Sequence, residues 1–147
     1  MTPDSILLTI AVLGGTGKEG KGLAYRWAKA GYRVIIGSRT NEKAKVAADD
    51  LNEMLGKEII EGLQNLNAAK KADILVLTVP YSAHIPTLES VKDAAQGKIL
   101  VDVTVPLIPP KVTKVQMPKA GSAAQEAQEI LGEGVSVEAA FQNIPHE

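Results

Sequence analysis

Apolar residues in this chain follow two spacings. Short, nearly unbroken runs rich in valine and isoleucine occupy residues 6–13, 33–37, 73–79 and 98–105, with weaker runs at 58–64 and 135–140. Runs of this length and composition predict strands buried on both faces. Between them lie stretches where apolar residues recur every three or four positions, which predicts helices over 18–30, 41–55, 85–95 and 122–131, plus a short helical turn at 67–72. The punctuation agrees. Gly31 and Gly56 stand where C-terminal caps belong, Asn41 is placed to cap the second helix, Pro86 suits a first turn, and Ser122 to Gln125 spells a capping box. Residues 106–121 break the pattern: Pro106, Pro109, Pro110 and Pro118 forbid a regular helix and predict a surface loop. Strands that alternate with amphipathic helices imply an α/β fold, a doubly wound parallel sheet.

Composition narrows what such a sheet can do. With 147 residues the chain is expected to form one domain, of a size that buries roughly 70% of the surface its unfolded chain exposes. A net charge of −1 supplies no field to draw in nucleic acid or an anionic membrane. Cysteine is absent and there are only two histidines, His84 and His146, so neither a disulfide framework nor a metal cluster is expected. The opening apolar run follows Asp4 without a basic stretch, unlike a leader or a membrane span, and a cytoplasmic location is expected.

The chemistry is concentrated where the first strand meets the first helix. Gly15-Thr16-Gly17-Lys18-Glu19-Gly20 is a G-x-G-x-x-G set between a strand and a helix, the setting a dinucleotide pyrophosphate requires. The first glycine permits the tight bend, the second lets backbone approach the phosphates, and the third lets helix pack on strand. The helix start adds free N–H groups and a partial positive charge. A glycine turn that binds nothing is the competing reading. A triphosphate loop is excluded: Val12 occupies the position of its first glycine, and Glu19 stands where Ser or Thr is needed.

The end of the second strand selects the nucleotide. An acid there accepts bonds from a ribose 2′-OH, whereas an arginine accommodates a 2′-phosphate. The chain reads Gly37-Ser38-Arg39-Thr40 with no acid, so Arg39 is expected to hold a 2′-phosphate, helped by the Ser38 and Thr40 hydroxyls. Lys43 lies in the first turn of the next helix, where a cation opposes the dipole. Facing a phosphate would repay that cost. NADP is therefore expected over NAD, against the plainer reading of two solvated cations. Ligands of open sheets sit beyond the carboxyl ends of the strands, which makes Val79, Pro80 and Thr104 candidates for the nicotinamide side. No catalytic acid, base or nucleophile is expected. Tyr25 and Lys29 spell Tyr-x-x-x-Lys but lie inside the first helix, out of reach, so Trp27 and its neighbours are read as packing. His84 is read as an incidental loop residue and Asp102 as partly buried near the site.

Residues 12–24 (VLGGTGKEGKGLA), GSRT with Lys43, the TVP after the fourth strand and AAFQNIP near the end together resemble the NADPH:deazaflavin-coenzyme oxidoreductases. The resemblance runs from Ile10 to Pro145. It implies a Rossmann NADP-binding domain and hydride exchange between NADP(H) and the coenzyme called factor 420. Thr16 to Glu19 would then surround the pyrophosphate, Ser38, Arg39, Thr40 and Lys43 the 2′-phosphate, and Val79 and Pro80 the nicotinamide. Family members continue into a smaller C-terminal domain that helps seat the deazaflavin and forms dimers, whereas this chain is expected to hold the nucleotide domain alone. Gln142-Asn143-Ile144-Pro145 stands where the family often has His-x-Ile-Pro. Transfer to a deazaflavin needs close stacking rather than protein acid–base groups. The alternative expectation is a non-catalytic NADP-binding module, a sensor or half of a split enzyme. A second copy of the chain is one way to complete the acceptor site, so a homodimer is also an expectation.

Overall fold

The computed structural model describes residues 8–103 and 123–139. Along them run β1 (Thr9–Leu13), α1 (Lys18–Lys29), β2 (Arg33–Ser38), α2 (Asn41–Leu55), β3 (Ile60–Gln64), α3 (Asn65–Lys71), β4 (Ile74–Leu77), a 3₁₀ turn (Tyr81–Ala83), α4 (His84–Ala95), β5 (Ile99–Asp102), α5 (Ala123–Leu131) and β6 (Ser136–Ala139). The strands form one sheet in the order β3-β2-β1-β4-β5-β6, and every neighbouring pair is parallel. This is the doubly wound Rossmann order, in which the chain reverses direction of travel across the sheet between β1 and β4. The expected fold class is observed.

Alternation along each strand divides the core in two. Ile10 and Val12 of β1, with Val34 and Ile36 of β2, pack against Leu23 and Ala24 of α1 and Ala44, Ala47, Ala48 and Leu51 of α2. Ala11 and Leu13 point the other way, joining Leu75 and Leu77 of β4 against α3, Leu88 and Val91 of α4, and Leu131 of α5. The α2 face is built from alanines because its backbone lies very close to the sheet. A Cβ on Gly62 of β3 would collide with the Ala44 carbonyl. Buried Asn52 closes the far end of that contact. Its amide donates to Ile60 O at 2.9 Å, and its carbonyl accepts from Ile59 N and Ile60 N at 3.0 and 2.8 Å.

The elements differ from expectation mainly at their ends. The cap of α2 is Thr40, whose Oγ1 accepts from Lys43 N at 3.2 Å, and not Asn41. Asn41 instead accepts from Gln64 N at 2.7 Å, tying α2 to the end of β3. Helix α3 starts at Asn65, two residues earlier than expected. Strand β4 stops at Leu77, with the Thr78 hydroxyl reaching the β1–α1 turn, and β5 stops at Asp102. Helix α4 begins at His84, so that residue is helical and not in a loop. The proline-rich stretch 106–121 and the tail beyond Ala139 lie outside the described residues. Among the described residues no helix is long and apolar enough to cross a membrane.

Candidate dinucleotide site

The parallel register sets the site. Leu13, the last residue of β1, pairs with Gly37 of β2 and with Leu77 of β4. The three segments that follow these strands therefore emerge side by side at the carboxyl edge of the sheet. They carry Gly15 to Gly20, Ser38 to Lys43, and Val79 with Pro80, which brings together twelve of the thirteen residues singled out by sequence. Thr104 lies outside the described residues.

The three motif glycines have distinct surroundings. A Cβ on Gly15 would sit 2.7 Å from the Val12 carbonyl oxygen. One on Gly20 would sit 2.7 Å from Gly15 Cα and 2.8 Å from Thr78 Oγ1. Both positions are filled by the fold itself. A Cβ on Gly17 meets nothing within 4 Å. Gly17 is also the N-cap of α1, in extended conformation at φ −81° and ψ 173°, with no side-chain oxygen bonding the first-turn N–H groups. Those amides face open space at the positive end of a twelve-residue helix, which is what a pyrophosphate needs. The turn is held from behind: Gly15 N donates to Gly37 O at 2.9 Å, and Gly14 N donates to Asn65 Oδ1 at 3.2 Å. Gly14 has φ +70°, and a side chain there would strike Val79.

Beyond β2, Ser38 is buried while Arg39, Thr40 and Lys43 are exposed. The Thr40 hydroxyl accepts from the Lys43 amide and keeps its own proton to donate. Two clefts flank this segment. One, of about 340 Å³, is lined by Ser38, Arg39, Gln64, Asn65, Thr87 and Ser90. The other, of about 300 Å³, runs between α1 and α2 past Thr16, Lys21, Glu42 and Lys43. A larger cavity of about 700 Å³, lined in part by Lys29, Arg33, Lys57 and Lys71, lies at the opposite, amino ends of the strands, and the glycine turn does not line it. Taken together, the residues at the carboxyl edge fit NADP, with an open glycine for the pyrophosphate and two exposed cations where a 2′-phosphate would lie.

The nicotinamide side holds what sequence reasoning missed. Thr78 Oγ1 donates toward Leu13 O and Gly14 O, at 3.0 and 3.1 Å, fastening the end of β4 to the glycine turn. Four residues past Pro80, His84 is fully buried between two carboxylates. Its Nε2 is 2.7 Å from Asp102 Oδ2, and its Nδ1 is 2.9 Å from Glu126 Oε1. Tyr81 Oη donates to the second Glu126 oxygen at 3.2 Å. Burial works against a charged imidazole, but the bond and charge of Asp102, followed by those of Glu126, outweigh it and raise the His84 pKa above the ordinary histidine value. Partial burial, then the charge and bond of Glu126, raises Tyr81. His84 is thus not an incidental loop residue: it is helical and bonded to two carboxyl groups. The signal was present in α4, where His84 shares the buried stripe of Thr87, Leu88, Val91 and Ala95 at helical spacing. Asp102, expected partly buried near the site, is fully buried, and nothing in the sequence pairs it or Glu126 with His84. Among the described residues no His, Asp or Glu set could hold a metal ion. Tyr25 and Lys29 sit within α1 as expected, the Lys29 ammonium 5.7 Å from the Tyr25 ring centre.

Residues 9–106 match the family described as NADP oxidoreductase, coenzyme F420-dependent. The F420-dependent NADP reductase of Methanothermobacter thermautotrophicus is 46% identical over 145 residues, a match that covers 95% of this chain and 62% of that protein. The Methanocaldococcus jannaschii protein of the same name is 43% identical over 146 residues, covering 95% and 65%. The chain therefore spans less than two thirds of the length of these curated relatives. A crystal structure provisionally described as an F420-dependent NADP reductase of Arthrobacter sp. FB24 superposes with a TM-score of 0.77 at 23% identity, covering 94% of this chain and 64% of that one. Lactate dehydrogenase from Eimeria maxima superposes with a TM-score of 0.64 at 17% identity, covering 91% and 44%. At such identities these two structures speak for the fold.

Proposed function

Because this chain belongs to the family of NADP oxidoreductases that are coenzyme F420-dependent, we propose that it binds NADP(H) and serves hydride exchange with a deazaflavin coenzyme of the factor 420 type. Gly17 carries the reading: between two glycines whose side-chain space the fold occupies, it alone opens onto empty space at a helix start. The α1 amides of Lys18 to Gly20 would bind the pyrophosphate. Arg39 and Lys43, with the Ser38 and Thr40 hydroxyls, would hold the 2′-phosphate. Val79 and Pro80 would face the nicotinamide, with Thr104 as a further candidate there. NADP(H), when bound, supplies or accepts the hydride. The chain's residues position it, and no protein acid or base is required for transfer between two such rings. The named relatives are reductases of this pair, and the part of their length that this chain does not span is where further acceptor contacts would come from. A second copy of the chain is the other source.

Titration with NADPH and NADH tests the nucleotide, and anaerobic spectroscopy with factor 420 tests the transfer. NADPH preference with bleaching of the deazaflavin absorbance is the expected result. NADPH binding without transfer would leave a non-catalytic nucleotide-binding module, and equal or absent binding of both nucleotides would remove the NADP assignment.

A further inference from the structure

The buried cluster around His84 has an unusual proton requirement. Two short contacts join the imidazole to two carboxyl groups, at 2.7 Å on Nε2 and 2.9 Å on Nδ1. Each contact needs a proton between nitrogen and oxygen, because a ring lone pair facing a carboxylate oxygen repels it. Two protons are therefore held, either both on the ring as an imidazolium or one on the ring and one on a carboxyl. Neutral imidazole between two ionised carboxylates satisfies only one contact. The second proton makes the cluster a three-way tie, with His84 at the start of α4, Asp102 at the end of β5 and Glu126 on α5.

The tie reaches the nucleotide edge through a short, stiff path. Ala83 N donates to Pro80 O at 2.9 Å, closing the 3₁₀ turn that leads into His84. Tyr81, within that turn, is fastened to Glu126 at 3.2 Å and lies over the His84 ring with centres 5.6 Å apart. On the other side Val79 packs against Gly14, and Thr78 bonds the Leu13 and Gly14 carbonyls. Val79 and Pro80 thus lie on a span pinned to the glycine turn at one end and to the His84 cluster at the other. The segment following Ser38 is fastened to the end of β3 instead, with Gln64 Nε2 donating to Arg39 O at 3.2 Å and Gln64 N donating to Asn41 Oδ1 at 2.7 Å.

We propose that His84 is a positioning residue: its doubly bonded form, held by Asp102 and Glu126, fixes the Val79–Pro80 segment in register for the nicotinamide half of the nucleotide and leaves the adenosine half unaffected. This rests on the NADP reading above. Among the described residues the titratable groups facing the ring are Asp102 from β5, Glu126 from α5 and Tyr81 from the 3₁₀ turn. Burial lowers and the two acids raise the imidazole pKa, with a net rise, so the tie persists from acid pH to above the ordinary histidine range and weakens when the second proton leaves.

The test compares two ligands on the full chain. Adenosine 2′,5′-bisphosphate engages only the adenosine half, while NADPH engages both. His84→Gln, whose single amide nitrogen can stand in for one ring nitrogen but not both, is expected to weaken NADPH about tenfold, the worth of one charge-assisted bond, while bisphosphate affinity stays within about twofold. Glu126→Gln, at a half-buried position on α5, is expected to give a smaller loss of the same kind and to lower the His84 pKa read by imidazole nitrogen NMR. In the wild-type chain the ratio of NADPH to bisphosphate affinity should fall as pH rises through that pKa. Equal loss of both ligands, an unchanged NADPH affinity, or a singly protonated His84 ring with both acids ionised throughout the neutral range would overturn the positioning role while leaving the NADP reading standing. Wild-type protein that binds neither ligand would overturn both. If His84→Gln does not fold, the Glu126→Gln titration and the wild-type NMR and pH ratio decide alone.

Discussion

The two halves of the carboxyl edge hold their ligand-facing residues by different means. On the proposed adenosine side the candidate groups are backbone amides and exposed cations. Arg39 is exposed on the segment after β2 and Lys43 in the first turn of α2, and the rigid element is a glycine turn whose shape follows from absent side chains. On the proposed nicotinamide side the described candidates are exposed Pro80 and buried Val79. Its rigidity comes from polar groups underneath, with Thr78 on one side and His84, Asp102 and Glu126 on the other. In the proposed site the first half would recognise charge and the second would set geometry. Affinity should accordingly depend most on the first, and the orientation of the reactive ring on the second.

The glycine turn offers the sharpest break. Gly20→Ala forces a Cβ to 2.7 Å from Gly15 Cα and 2.8 Å from Thr78 Oγ1, both inside the packed turn. Its expected cost is about 1–3 kcal/mol of stability by overpacking, together with loss of NADPH binding. Gly17→Ala adds its methyl to open space at an extended backbone that any residue adopts. Stability should hold within about 0.5 kcal/mol while NADPH affinity falls about a hundredfold, roughly 3 kcal/mol. Denaturant unfolding alongside calorimetric titration separates the two. Parallel losses in both variants would mean that Gly17 serves the fold rather than the ligand.

Arg39→Ala comes next, with an expected loss of about 1.5–3 kcal/mol in NADPH binding. NADH, which lacks the 2′-phosphate, should bind as before, so the ratio of the two affinities is the measurement. An unchanged ratio would leave Arg39 as a solvated surface cation.

These first tests concern residues that sequence made visible, for a physical reason. The glycine turn and the GSRT segment each act through contiguous backbone, so their spacing survives in one dimension. Most elements were legible on the same ground, since strands buried on both faces write themselves as unbroken apolar runs. The misplaced ends were those set by long-range bonds. The Thr78 hydroxyl bonds the Leu13 and Gly14 carbonyls just past the end of β4, and Asn41 is drawn from capping to Gln64 N. The His84 cluster was illegible for a stronger version of this reason. Its members are 18 and 42 residues apart and meet only because β5 lies beside β4 and α5 packs on α4.

Stability against pH probes that cluster without any ligand. The His84 pKa in the folded chain is raised above its ordinary value of 6.5. Its contribution is therefore fully present below the unfolded value and is lost as pH rises through the folded one. Urea midpoints taken from about pH 6 to about pH 9 should decline for the wild-type chain relative to His84→Gln. A wild-type midpoint that instead drops relative to His84→Gln as pH falls below 6.5 would reverse the sign and place the neutral ring in the folded state.

The smallest effect should come from the strut that joins the two halves. Thr78→Val keeps the shape of the side chain and removes the hydroxyl that reaches Leu13 O and Gly14 O. Leu13 O still accepts from Thr78 N at 3.0 Å, so only the Gly14 contact goes without replacement from this residue. The expected cost is about 1 kcal/mol in the urea midpoint at an unchanged slope. NADPH affinity should fall by less than about threefold, because Gly14 stays packed on Val79 and bonded to Asn65. If the variant instead lost NADPH as severely as His84→Gln while keeping the bisphosphate, the register of the nicotinamide side would be set from the glycine turn. The buried histidine would then be a consequence of that register and not its cause.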